Sequence, residues 1–161
     1  YKKVFKTREI FIDGHQHVHM IPWIFNILID IKNKENIKNI RIPNESFVVR
    51  FYDLFKVNIF KNILKLFLIK LLIFISKNKI KKIKYNYNFS GVIYTGFQTA
   101  SSIKKFIATY KSKNLSKKLE ILVHPGFALA KERKLFKKYF FYYYYSKDRE
   151  KEFNTIKSID L

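Results

Sequence analysis

Cysteine is absent from this chain, which excludes a disulfide framework and any thiolate-held metal, so a metal here has to be held by His, Asp or Glu. The same absence fits a reducing compartment, and no signal peptide is visible; the expected location is cytoplasmic. Acidic residues are scarce: 12 Asp and Glu stand against 33 Lys and Arg, for a net charge of +21. Such an excess ordinarily suggests a polyanionic partner, because basic side chains gain affinity by releasing counterions from phosphates. Arginine, however, is nearly missing. Only Arg8, Arg41, Arg50, Arg133 and Arg149 occur, spread along the chain, and nucleic-acid readers rely on clustered guanidinium groups for bidentate contacts. The abundance of Lys, Ile, Asn, Phe and Tyr follows AT-rich codons instead, and no nucleic-acid partner is expected. A long uninterrupted apolar run is also lacking. The nearest approach, Ile59 to Ser76, is broken by Lys61, Lys65 and Lys70, each costly at a bilayer centre. No transmembrane segment is expected; a helix lying on a membrane surface is an alternative. Its apolar positions Ile63, Leu64, Phe67, Leu68, Leu71 and Leu72 follow helical spacing and are expected to face a protein core.

What is present is one continuous piece. At 161 residues the chain can bury roughly 70% of the surface of its unfolded form, and no repeat or linker divides it. It opens on Tyr1, and Tyr1-Lys2-Lys3-Val4-Phe5 reads as the middle of an element, so we expect a fragment. Strand and helix patterns alternate. Ile10 and Ile12 lead into Asp13-Gly14-His15 as a strand ending in a loop, and Pro22 opens a helix in which Trp23, Phe25, Ile27 to Ile29 and Ile31 can cover a buried face. Ile37 to Pro43 reads as a strand, Tyr52 to Ser76 as a long helix and Gly91 to Thr95 as a strand. Thr99 to Lys113 reads as a helix capped by Thr99, Ser101 or Ser102, Leu119 to Val123 as a strand, and a last helix starts near Ser146 or Asp148. Such alternation implies a mostly parallel sheet or a barrel of βα units, with chemistry at the C-terminal strand ends.

Both histidine motifs fall at such ends. In Asp13-Gly14-His15-Gln16-His17-Val18-His19 an extended backbone would place Asp13, His15, His17 and His19 on one face, about 7 Å apart. Imidazole and carboxylate suit divalent zinc, or harder ions with water completing the shell. The bland alternative is that these rings cap a strand, but three at a spacing of two beside an aspartate favour metal or catalytic use. His124, in His124-Pro125-Gly126 after an apolar strand, can exchange a proton near neutral pH; a structural turn is its alternative. Arg41, at another strand end, offers a guanidinium for an oxygen-rich substrate or a structural salt bridge. Tyr142 to Tyr145 read as packing residues.

The segment DGHQHVHMIP resembles the D-[SG]-H-x-H-V-H-x-x-P motif of YdjC/ChbG-like carbohydrate deacetylases. IRIP, FSGVIYTG, LEILVHPGF and YYSKDREKEFNTI follow in the family's order, and Tyr52 to Lys84 agrees mainly in character. That middle segment is most similar to relatives associated with hopanoid biosynthesis. The resemblance implies an α/β fold, a partial TIM-like (β/α) barrel with its N-terminal strands missing, and makes residues 1–161 the C-terminal part of a single deacetylase domain. It implies removal of acetyl groups from small N-acetylated sugars with a divalent ion, magnesium or zinc. His15 would be the metal ligand and His124 the acid that protonates the departing amine. Asp13, His17 and Arg41 would orient the ligands or contact substrate, and the remaining ligands and the base would lie upstream of Tyr1. A homodimer is left open. The alternative from another class is a noncatalytic, degenerate remnant that associates with a membrane surface through the helix near 59–76.

Overall fold

The computed structural model describes residues 10–35, 37–83, 87–112, 118–127 and 147–159. Two parallel strand pairs organise it. Strand β1 (Ile10–Ile12) pairs with β2 (Ile37–Ile40), and β3 (Tyr87–Ser90) pairs with β4 (Lys118–Ile121). Each pair is joined through a helix, as parallel pairing requires: α1 (Pro22–Glu35) between β1 and β2, α4 (Ala100–Ser112) between β3 and β4. Between the pairs run α2 (Val57–Ile75) and the single turn α3 (Lys77–Ile80), and α5 (Lys147–Ser158) closes the order. The βα alternation expected from sequence is present; a closed barrel is not seen among the described residues. Their four strands of three or four residues form two separate two-stranded sheets, whereas a TIM-type barrel closes eight tilted strands on one another. A parallel bridge from Glu45 to Phe89 lies between the two pairs.

Several boundaries differ from the sequence reading for identifiable reasons. The strand expected at Gly91 to Thr95 lies one step earlier, at Tyr87–Ser90. The chain leaves the extended state at Gly91, whose φ is +133°, because the peptide N–H groups of Gly91, Val92 and Ile93 all turn onto the buried carboxylate of Glu45 at 2.7 to 3.1 Å. Ser90 adds its hydroxyl at 3.0 Å. That acid takes the bonds a further stretch of strand would have made. The long helix starts at Val57 rather than Tyr52, after a 3-10 turn at Phe51–Asp53 in which buried Asp53 accepts from Arg50 Nε at 2.5 Å and from the Tyr94 hydroxyl at 2.8 Å. Helix α4 begins with a reciprocal cap, Ser102 N–H onto Thr99 Oγ1 at 3.2 Å and Thr99 N–H onto Ser102 Oγ at 2.9 Å. Tyr142 to Tyr145 and Ser146, one of the two expected starts of the last helix, lie outside the described residues.

Helix faces needed the structure. In α1 Phe25 is buried, but Trp23, Ile27 and Ile31 are exposed. In α2 the core face is Ile59, Asn62, Leu66 and Ile69, while Leu64, Phe67, Leu68 and Leu71, expected inside, are exposed. Apolar side chains occupy two opposite sides of this helix, so periodicity alone cannot choose between them. Asn62 chooses: its amide donates to the carbonyls of Ile93 at 3.0 Å and Thr95 at 3.4 Å, pinning that side against the Gly91 turn. Two cores result. One gathers Ile59 and Leu66 of α2 with Phe89, Ile93, Tyr94 and Phe106; the other gathers Met20, Phe25, Ile37, Ile40, Ile42 and Ile83.

Candidate active site

Just beyond β1, the residues His15–Met20 form a tight 3-10 turn instead of the extended run that would align alternate side chains. Gln16 and His17 take φ values of 50° and 60°, a left-handed conformation that costs non-glycine residues on the order of 1 kcal/mol or more each. The turn sends His15 outward, leaves His17 half-buried and buries His19. The His17 ring meets Phe89 edge-on at 5.6 Å and lies 6.1 Å from the His19 ring. His19 acts as a tie between strand ends. Its Nδ1 accepts the Gly14 N–H at 2.9 Å, and its Nε2, which therefore carries the proton, donates to the Arg41 carbonyl at 2.7 Å. Glycine is required at position 14 because a Cβ there would lie 2.7 Å from His19 Nδ1. The Arg41 guanidinium then bridges Asp13 and Glu120, drawing together the ends of β1, β2 and β4.

Asp13, His17 and His19 each place a ligand-type atom within 4.8 Å of the others. They are not equivalent. Both nitrogens of His19 are committed to the backbone, whereas His17 Nδ1 is buried without a hydrogen-bond partner among the described residues. Burial, helped by the nearby charges of His19, Arg41 and His124 and opposed by Asp13, lowers the His17 pKa to about 4. Burial lowers His19 as well, against the bonds from Gly14 and Arg41. A neutral imidazole with an unused lone pair beside a carboxylate has the donor chemistry a divalent ion needs, so these residues fit such an ion through His17 and Asp13. His15 does not belong to this cluster; it is exposed, and its charge acts on His124.

His124 follows β4, and its position is set by α5. Its peptide N–H donates to Glu152 Oε2 at 2.5 Å, while Glu152 Oε1 takes the Gln98 N–H at 2.7 Å. Arg149 Nε donates to the His124 carbonyl at 3.2 Å and the Gly126 N–H returns to the Arg149 carbonyl. The Arg149 guanidinium packs directly on Gly126, 2.7 Å from where a Cβ would stand. His124 Nδ1 is the second buried imidazole nitrogen without a partner among the described residues. Its pKa is lowered by burial first and then by Arg149, His15 and Lys65.

The structure therefore brings Asp13 together with His17 and His19 just beyond β1, ties Arg41 to Asp13, and leaves His15 exposed and His124 after β4; a cleft of about 380 Å3 is walled by Asp13, Arg41 and Glu120 but by none of the histidines. Sequence reasoning missed Glu45, Glu120 and Glu152, and missed that Arg149 and Glu152 hold the His124 loop. One signal could have found them. With only 12 acids in the chain, each carboxylate is a candidate anchor, and Arg149 and Glu152 share a helix face at a spacing of three.

A family model described as YdjC-like protein matches residues 7–161. None of the curated proteins and none of the solved structures compared matches the chain.

Proposed function

The chain belongs to the YdjC-like family, and from that premise we propose that it is a carbohydrate deacetylase, a hydrolase that frees acetate from a small N-acetylated sugar with a divalent ion, Mg or Zn. One observation carries the reading: two buried imidazole nitrogens, on His17 and His124, have no hydrogen-bond partner among the described residues, and the two rings feel each other's charge beside Asp13. An unsatisfied buried polar atom costs about 1–3 kcal/mol, and a site that tolerates two is suited to a ligand that satisfies them. His17 and Asp13 would hold the ion, and His15, the ligand that the family resemblance implies, would join them only by turning in from its exposed position. A bound divalent ion would supply polarisation of the acetamide carbonyl and activation of a water.

The chain's own groups have separable tasks. Arg41 restrains the Asp13 carboxylate and leaves its guanidinium on the cleft wall, where sugar hydroxyls would meet it. His124, neutral at rest because burial and Arg149 disfavour its cation, would pass to the departing amine, as the C–N bond breaks, the proton that the base draws from the attacking water. Glu152 and Arg149 hold the His124 backbone and so aim the ring. Among the described residues no helix is long and apolar enough to cross a membrane; a cytoplasmic location is our reading of the cysteine-free composition.

Acetate release from chitin oligosaccharides by the full-length protein, with and without a chelator, tests the proposal. Activity that disappears on chelation, returns with Mg or Zn, and falls in the His124→Ala protein without loss of metal would support it. A protein that binds no metal and leaves N-acetylated sugars intact would be the noncatalytic remnant, and the hydrolase reading would be withdrawn.

A further inference from the structure

Helix α2 carries a second apolar face that the site does not use. On the side opposite Ile59, Leu66 and Ile69, the side chains of Phe60, Leu64, Phe67, Leu68, Leu71 and Phe74 are exposed, Phe67 to 70%. At 100° per residue these six fall within about one third of the helix circumference. Lys70 borders the stripe on one flank, Lys61 and Lys65 on the other, and all three are exposed. Exposed Phe51, Tyr52 and Phe55 extend the apolar surface past the helix's N-terminal end. The helix spans about 28 Å at 1.5 Å per residue, so the stripe is a long, straight, apolar ridge with cationic margins.

Charge decides what fits it. No Asp or Glu occurs between Asp53 and Glu120, so nothing on α2, α3, β3 or α4 can neutralise those lysines. The turn after α2 adds Lys77, Lys79, Lys81 and Lys82. A second copy would bring the same cationic margins against its own image in a chain of net charge +21, a like-charge arrangement that opposes pairing. Crossing a bilayer is excluded for this helix by its three lysines. We infer that the outward face of α2 docks flat on an anionic lipid surface, with the Phe and Leu side chains entering the headgroup–acyl boundary and Lys61, Lys65 and Lys70 reaching lipid phosphates from either side. This inference does not rest on the deacetylase reading; of its residues only Lys65 neighbours that site, where its charge acts on His124.

Co-sedimentation of the full chain with phosphatidylglycerol-containing vesicles and with pure phosphatidylcholine vesicles, at low and high salt, tests it. Binding is expected only to the anionic vesicles and should weaken with salt. Lys61→Gln, Lys65→Gln and Lys70→Gln together should reduce partitioning about a hundredfold, about fivefold for each lysine. Phe67→Gln with Leu71→Gln should abolish it while leaving the circular dichroism spectrum unchanged, since both side chains already face water. Failure to sediment with anionic vesicles would overturn the inference, and so would equal binding to neutral ones. Light scattering showing a dimer that the Phe67→Gln/Leu71→Gln protein cannot form would assign the face to a second copy instead.

Discussion

Replacing Glu152 by Ala probes how the histidine loop after β4 is held. The carboxylate is fully buried and accepts two peptide N–H groups, those of Gln98 and His124. Alanine leaves both donors in a space too tight for easy hydration, at about 1–3 kcal/mol for each unsatisfied group. The expected loss is about 2–6 kcal/mol, a large share of the 5–15 kcal/mol typical of a whole domain. For a chain of this length that lowers Tm by roughly 5 to 20 °C. Glu152→Gln retains one acceptor oxygen and should lose about half as much. Urea denaturation followed by circular dichroism measures the stability, and metal content together with acetate release measures the site. The Glu152→Gln protein should keep its metal yet turn over more slowly, because the His124 ring loses its aim. A Glu152→Ala protein within about 0.5 kcal/mol of the parent, the range of ordinary surface substitutions, would refute the reasoning.

Other outcomes follow from the same geometry. Gly14→Ala should cost about 1–3 kcal/mol, as overpacking does, because the new Cβ would lie 2.7 Å from His19 Nδ1; thermal melts check this, and a melt unchanged from the parent would contradict it. Burial raises the Asp53 pKa, but Arg50, Lys56 and Tyr94 lower it further and leave it at about 2, below its ordinary 3.8. Its contribution of about 2 kcal/mol is therefore complete above pH 3.8 and is lost as pH falls through about 2, so Asp53→Asn should weaken the protein at pH 7 but scarcely at pH 2. Because burial holds His17, His19 and His124 below 6.5, the acidic limb of the activity profile should lie below pH 6.5; a limb above 7 would contradict the neutral resting site.

Much of this organisation was legible in the residues. Pro22, Thr99 and Ser102 mark helix starts by local chemistry, and the structure puts α1 and α4 there. The histidine segment was legible as a source of candidate metal donors, of which the structure groups Asp13, His17 and His19, but not in its shape. Alternation assumed an extended backbone, and the left-handed pair Gln16 and His17 is set by contacts from elsewhere, the Phe89 ring and the His19 tie to Arg41 among them. The fate of Gly91 to Thr95 was illegible for a similar reason, since its peptide groups answer to Glu45, 46 residues away from Gly91. Helix faces failed where a helix is apolar on both sides, as α2 is, and only the Asn62 bonds settle the choice.

Proton NMR of the imidazole ring signals during a Mn2+ titration tests the central claim most directly, because all four histidines of the chain lie in or beside the site. The account predicts that the His17 signal broadens away first, at substoichiometric Mn2+, that His15 and His124 broaden next, and that excess Mg2+ or Zn2+ restores all three. Four sharp signals at millimolar Mn2+ would contradict it.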